Sequence, residues 1–246
     1  MLFLESLNLE ILVLLAGLFK DVNVLAAQVI LVSFGQILMT FPYGLSLASG
    51  VTVGHSVGAN RPGEAKANCR MIAWINTGLS TLIILVMIGL CKSLIPIYAA
   101  NNDDVISLTE GAFLVFLVAF LFDSSQCNLG GIIKAVGRQG LASLCSLGCM
   151  VLIALPTTYI ATMQLGLGLA GLWIGYCLST LCLTVIYAYI LATLDWTKTA
   201  QEASISDEIT LSTDHDSIKT QMDTSKNAYT DEIHDDDFVN ADYLKP

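Results

Sequence analysis

The 246-residue chain is 54% hydrophobic and 13% charged, with a mean hydropathy of +0.69. Water-soluble domains carry about a quarter charged residues, so this composition excludes an ordinary globular protein. The net charge of −10 belongs to one end: residues 197–246 hold twelve acids and four lysines, residues 1–196 nine acids and seven bases, which leaves no ground for nucleic-acid binding.

The first apolar segment is Met1–Phe19, with Glu5 and Glu10 embedded in it. It lacks the basic start and small-residue cleavage site of a signal peptide, so it reads as a spanning helix. The two carboxylates lie five residues apart, about 140° around a helix, too far to meet one partner. The second span covers about Val24–Ala48. In it Ser33, Gln36, Thr40 and Tyr43 form a polar stripe at helical spacing, either bonding to neighbouring helices or walling a cavity. Pro42 with Gly44 predicts a kink there.

Residues 51–70 carry Gly54, Gly58, Pro62 and Gly63 and read as a loop. Arg61, Lys66 and Arg70 concentrate in it, and His55 reads as a solvated side chain or a pH-sensitive group. The third span runs from Met71 to about Leu90, and Lys92 closes it.

The fourth span is the centre of the chain. An apolar run from Ala112 to Phe122 meets one carboxylate, Asp123, followed by Ser124, Ser125, Gln126, Asn128 and Gly130-Gly131. A charge at membrane depth costs several kcal/mol, so such residues mostly face a cavity. The plainer alternative is an acid at a helix end pairing with Lys134 or Arg138. The fifth span, Leu141–Met163, contains Pro156. The sixth, about Leu167–Leu194, carries Gly171, Gly175 and Ser179 at spacing four, the pattern that lets helices approach closely. Trp173, Tyr176, Tyr187, Tyr189 and Trp196 suit anchoring at the membrane interface.

Six spans of about 20 residues predict an all-α membrane protein with a six-helix bundle over residues 1–196. Arg61, Lys66, Arg70, Lys134, Arg138 and Lys198 lie on one set of loops, Lys20 and Lys92 on the other, which places the first set and both termini in the cytoplasm. Residues 197–246 bury too little apolar surface to fold and read as a disordered, acidic cytoplasmic tail, with Ser204, Ser206 and Thr213 as candidate phosphorylation sites beside acids.

The seven cysteines form no CxxC pair and no zinc-spaced cluster with histidine; Cys145 and Cys149, on one helix face, read as packing residues. No metal ligand set, protease set, phosphate loop or dinucleotide fingerprint is present, so an enzyme is not expected and no cofactor is implied. Membrane-embedded acids on the first and fourth spans suit a proton or sodium relay whose charge state follows access to water. That places the expected function in secondary transport.

In their order these features resemble the C-terminal half of a eukaryotic multidrug and toxic compound extrusion (MATE) transporter. Glu5 and Glu10 in LESLNLEILVLLAGL resemble the acidic positions of that family's seventh helix. Ala26-Ala27-Gln28 and Phe41-Pro42-Tyr43-Gly44 frame its eighth. TVGHSVGAN with Glu64-Ala65-Lys66 resembles the following loop. Asp123 with Gly130-Gly131, Gly137 and Gln139 resembles the tenth helix and its turn, and Pro156 and Gly171-Leu172-Trp173-Ile174-Gly175 the eleventh and twelfth. The likeness covers residues 2–196.

The resemblance implies one lobe of a twelve-helix exporter that expels organic cations, drugs or metabolites in antiport with H+ or Na+, at the plasma membrane or a vacuolar or vesicular membrane. Glu10 and Asp123 would be the ion-coupling and substrate-binding acids, supported by Glu5, with Gln28, Ser33, Gln36, Thr40, Tyr43, Gln126 and Asn128 as candidates to line the cavity. Ser33 stands where the family often carries a further acid, Lys134 where it has arginine, and Ala135 where it has glycine. The expected partners are a small, cationic organic substrate, the lipid bilayer, and an N-terminal six-helix lobe that this sequence lacks, or another half-bundle. The chain is accordingly expected to be a piece of a longer protein. The alternative is a non-transporting membrane scaffold or regulatory half that recruits partners through its acidic tail.

Overall fold

Helix boundaries follow local capping chemistry. The computed structural model describes residues 10–11, 13–17, 21–100 and 102–205. The described residues of 10–17 are helical (α1). Asp21 caps the next helix, α2 (Val22–Gly58), by accepting from Asn23 N–H at 2.9 Å. Pro62, which has no N–H to lose, opens α3 (Pro62–Tyr98). Asn102 caps α4 (Asp103–Ala135) through Asp104 and Val105 N–H, and Asp103 and Asp104 set negative charge in its first turn, where the helix dipole favours it. α5 (Gln139–Gln164) and α6 (Gly168–Thr193) follow.

Five of these helices, α2 to α6, are long and apolar enough to cross a membrane. The first predicted span lies mostly outside the described residues, Glu5 included. No strand occurs among the described residues. At about 1.5 Å per residue, the 37 residues of α2 and of α3 each exceed the roughly 30 Å hydrocarbon core. Their ends therefore fill the stretch expected to be a loop. Residues 51–58 are the last turns of α2, with exposed His55 in a helix, and only Ala59–Arg61 turn the chain, with Asn60 at φ +53°. Pro42 sits inside the continuous α2.

α4 is the central helix, buried along almost its whole length from Val105 to Ile133. Its neighbours are tied to it by hydroxyls, as suits helices that gain nothing from hydrophobic association in lipid. Ser46 of α2 donates to the Cys127 carbonyl at 2.8 Å, Asn128 donates to Ser49 at 2.9 Å, and Thr184 of α6 donates to the Phe122 carbonyl at 2.9 Å. The Ser80 hydroxyl of α3 meets that of Ser124 at 2.7 Å. α3 buries few side chains and turns Trp74, Leu82 and Leu85 outward, the surface expected where the solvent is lipid.

The small residues of α6 do what their spacing predicts. A Cβ on Gly171 would stand 2.9 Å from the Ala161 carbonyl carbon, and one on Gly175 would meet Thr158, its N at 2.6 Å. Around Pro156, α5 carries π-type turns at Met150–Ala154 and Ile160–Gln164, where proline removes a helix hydrogen bond. Thr157 Oγ1 donates to the Ile153 carbonyl and, at 3.2 Å, to that of Ala154.

Two expectations are corrected here. Trp173, Tyr176, Tyr187 and Trp196 are buried, and only Tyr189 of the five proposed anchors faces outward. Tyr187 instead donates to the Ala142 carbonyl at 2.8 Å, joining α6 to α5. The predicted tail, moreover, begins as structure. Residues 196–205 form a helix (α7), capped by Asp195 through Thr197 and Lys198 N–H, with Trp196 and Ala200 packed into the core. Ser204 lies in that helix and donates to the Gln201 carbonyl, whereas Ser206 and Thr213 lie outside the described residues.

Candidate functional site

One face of α4 carries Phe116, Phe120 and Asp123, spaced four and three so that they stack on successive turns. Opposite it stands the α2 face formed by Val32, Gly35, Gln36, Met39 and Tyr43; Trp173 and Tyr176 of α6 and Glu10 and Val13 of α1 complete the wall. The partly open cavity measures about 290 Å³. Gly35 brings α2 close to α4 there: a Cβ on it would stand 3.4 Å from the Phe116 ring.

Asp123 is 9% exposed. Gln126 Nε2 donates to its Oδ1 at 2.9 Å, and the Tyr176 hydroxyl hydrogen-bonds to it from across the cavity. Neither Lys134 nor Arg138 pairs with it: the ion pairs among the described residues are Arg61–Glu64 and Lys198–Glu202, both exposed. The plainer reading of Asp123 as a helix-end partner of those bases therefore does not describe this structure. The carboxylate is instead held by neutral donors at the edge of an aromatic chamber.

The sequence-derived candidates separate into groups. Glu10, Asp123, Gln36 and Tyr43 line the cavity together, and Gln126 stands behind Asp123 as its donor. Ser33 and Thr40 donate to the Val29 and Gln36 carbonyls of their own helix and take no part in the wall. Gln28 and Asn128 are fully buried between helices, Gln28 accepting from Trp173 Nε1 at 3.0 Å and Asn128 bonded to Ser49. Glu5 lies outside the described residues.

The aromatic wall is what reading the sequence missed. Phe116 and Trp173 pack edge to face at 4.9 Å, and Trp173 and Tyr176 at 5.7 Å. The available signal was the spacing of three between Trp173 and Tyr176, which puts both on one helix face, away from the face of Gly171 and Gly175 that packs on α5. A carboxylate ringed by aromatic faces can hold an organic cation by charge and by attraction to the rings. Tyr43 also borders a second, more open groove of about 660 Å³ between α2 and α4, with Lys134 at its far side.

Comparison with solved structures establishes the fold. The chain superposes on the eukaryotic MATE transporter AtDTX14 with a TM-score of 0.75 at 21% identity, covering 81% of this chain and 44% of that one. An outward-facing multidrug resistance MATE transporter of the MOP superfamily gives 0.71 at 17% identity, covering 78% and 42%. Among curated proteins, multidrug and toxin extrusion protein 1 of Danio rerio is 29% identical over 205 residues, 83% of this chain and 34% of the relative. Protein DETOXIFICATION 52 of Arabidopsis thaliana is 27% identical over 198 residues, 79% of this chain and 38% of the relative. The chain thus spans about a third of the length of the curated relatives it matches. The MatE family model matches residues 1–160, well over half the chain. With its apolar helices, central acid and shared fold, the chain is an integral, multi-pass membrane protein that belongs to the MatE family of multidrug and toxin extrusion transporters, which are not enzymes.

Proposed function

We propose that this bundle is the cation-binding lobe of a secondary active exporter, in which Asp123 and Glu10 receive a small organic cation and exchange it for H+ or Na+. The observation that carries this reading is Asp123, buried at the edge of an aromatic cavity with no basic side chain paired to it among the described residues. Such a chamber attracts positive charge and offers nothing to an anion. The family match supports export as the use made of it. In this reading a second six-helix bundle faces the cavity, since alternating access arises from one bundle rocking against another. The face carrying Arg61, Lys66, Lys134 and Arg138 is the cytoplasmic one.

The test is transport in proteoliposomes holding this bundle together with the second bundle that faces it, loaded with an organic cation and given an inward proton or sodium gradient. Asp123→Asn, which keeps shape and removes charge, should abolish gradient-driven efflux while leaving membrane insertion intact. Undiminished efflux by the variant would overturn the coupling role.

A further inference from the structure

Three buried amides each have one end without a partner among the described residues: Gln28 Nε2, Asn128 Oδ1 and Gln126 Oε1. What meets the other end sets them apart. Gln28 accepts from the indole N–H of Trp173, which can only donate, so its amide has one orientation. Asn128 donates to the Ser49 hydroxyl, whose own proton goes to the Leu45 carbonyl, which fixes that amide too. Gln126 faces a group whose hydrogen-bonding character changes with its charge: Nε2 donates to Asp123 Oδ1 at 2.9 Å. A carboxylate only accepts, so an N–H must face it; a carboxylic acid also carries a donor. A proton on Oδ1 would stand against the Gln126 N–H, two donors opposed at hydrogen-bond distance. The last side-chain torsion of glutamine is broad and roughly two-fold, and turning the amide over it would present the carbonyl oxygen instead. No bond at the far end resists that turn, because Oε1 has no partner among the described residues.

We propose that Gln126 is a positioning residue for the proton on Asp123: its amide donates to the carboxylate, and turns over so that Oε1 accepts from the acid once a proton from water sits on it. The inference rests on the H+ form of the coupling proposed above. Its consequence is that Asp123 keeps its place at the edge of the cavity in both charge states, so that protonation alters the charge of the chamber and not its shape. The Tyr176 hydroxyl, the other hydrogen-bond partner of Asp123, donates in both. Gln126 is 3% exposed and does not line the cavity, so it acts there only through Asp123. The other titratable side chains on the cavity are Glu10 of α1, Tyr43 of α2 and Tyr176 of α6; among the described residues α3 and α5 bring none to its wall.

The test is infrared difference spectroscopy of the full chain in lipid bilayers, neutral against acidic pH, with glutamine isotopically labelled at the side-chain carbonyl. A carboxyl band that appears on acidification and is missing in Asp123→Asn marks protonated Asp123. With it, one glutamine carbonyl band should shift to lower frequency, as a carbonyl does on accepting a hydrogen bond. That shift should be lost in Asp123→Asn and in Gln126→Met, and kept in Gln36→Met, which removes the glutamine that lines the cavity. The Gln36 variant identifies the band even where Gln126→Met fails to fold. A protonated Asp123 with no shifted glutamine carbonyl would overturn the inference alone. So would a shift that survives in Asp123→Asn or Gln126→Met, or one lost in Gln36→Met. Absence of any Asp123 carboxyl band at acidic pH would overturn the H+ reading, and the inference with it.

Discussion

Asp123 and Tyr187 show how far a single residue can be read before its neighbours are known. A carboxylate that interrupts an apolar run is conspicuous because its burial is costly, and that cost is local to the residue. Its donors are another matter: Gln126 lies one turn along α4, whereas Tyr176 comes from α6. Tyr187 carries a clear energetic expectation. Its hydroxyl satisfies the buried Ala142 carbonyl, so Tyr187→Phe should cost about 1–3 kcal/mol of stability, measured by detergent-titrated unfolding, with cation binding unchanged. Stability equal to that of the unmodified chain would show that the bond contributes nothing. The sequence marks Tyr187, Tyr176 and Trp173 only as amphipathic aromatics in apolar helices. Such rings fit a lipid interface and a protein interior equally well, and only the approach of α2, α4 and α5 decides between them.

Helices were legible in existence and less so in extent. Apolar length identified α2 to α6, and the fold class followed from it. Residues 51–70 were misread because Gly54, Gly58 and Gly63 signal a break in water-exposed chains. Here α2 and α3 continue beyond membrane depth, and the chain reverses only at Ala59–Arg61. Gly54 packs toward Ala135, where a Cβ would stand at an ordinary 3.7 Å, so it is a packing position and not a hinge. The glycines of α6 were read correctly from spacing alone, since close approach is a periodic property. Gly175→Ala drives a methyl into the Thr158 backbone and should destabilise the α5–α6 pair by about 1–3 kcal/mol. Gly111→Ala, in α4 with open space at its Cβ, should be neutral or stabilise by up to about 1 kcal/mol. Thermal unfolding of both variants in micelles checks the contrast, and equal effects at the two sites would contradict the packing described.

On the scale of the whole molecule, three packed clusters among the described residues hold the bundle, one built around Leu31, Phe116 and Trp173, one around Val53, Ile132 and Tyr187, and a small one of Met39, Phe120 and Cys127. The Asp123 cavity has walls from four helices, α1, α2, α4 and α6. No sequence period reports such a meeting of distant segments, which is why the acids and part of the polar lining were visible and the aromatic wall of their chamber was not. Gln36 and Tyr43 line it although Ser33 and Thr40 of the same stripe bond within their helix; a stripe defines a face, and the neighbouring helices decide which part of that face stays open. The same limit applied to Trp196, whose place in the core carries residues 196–205 into the fold rather than the tail.

The central claim is that Asp123 supplies the charge that binds an organic cation. The measurement that tests it most directly is the equilibrium affinity of the purified chain for tetraethylammonium as a function of pH, alongside Asp123→Asn. Protonation removes the carboxylate's charge, so affinity should fall as pH falls. The asparagine variant should bind at least about tenfold more weakly at neutral pH, the loss of a desolvated charge contact being worth well over 1.4 kcal/mol, with a flattened pH dependence. Equal affinities and equal pH profiles for the two proteins would contradict the account.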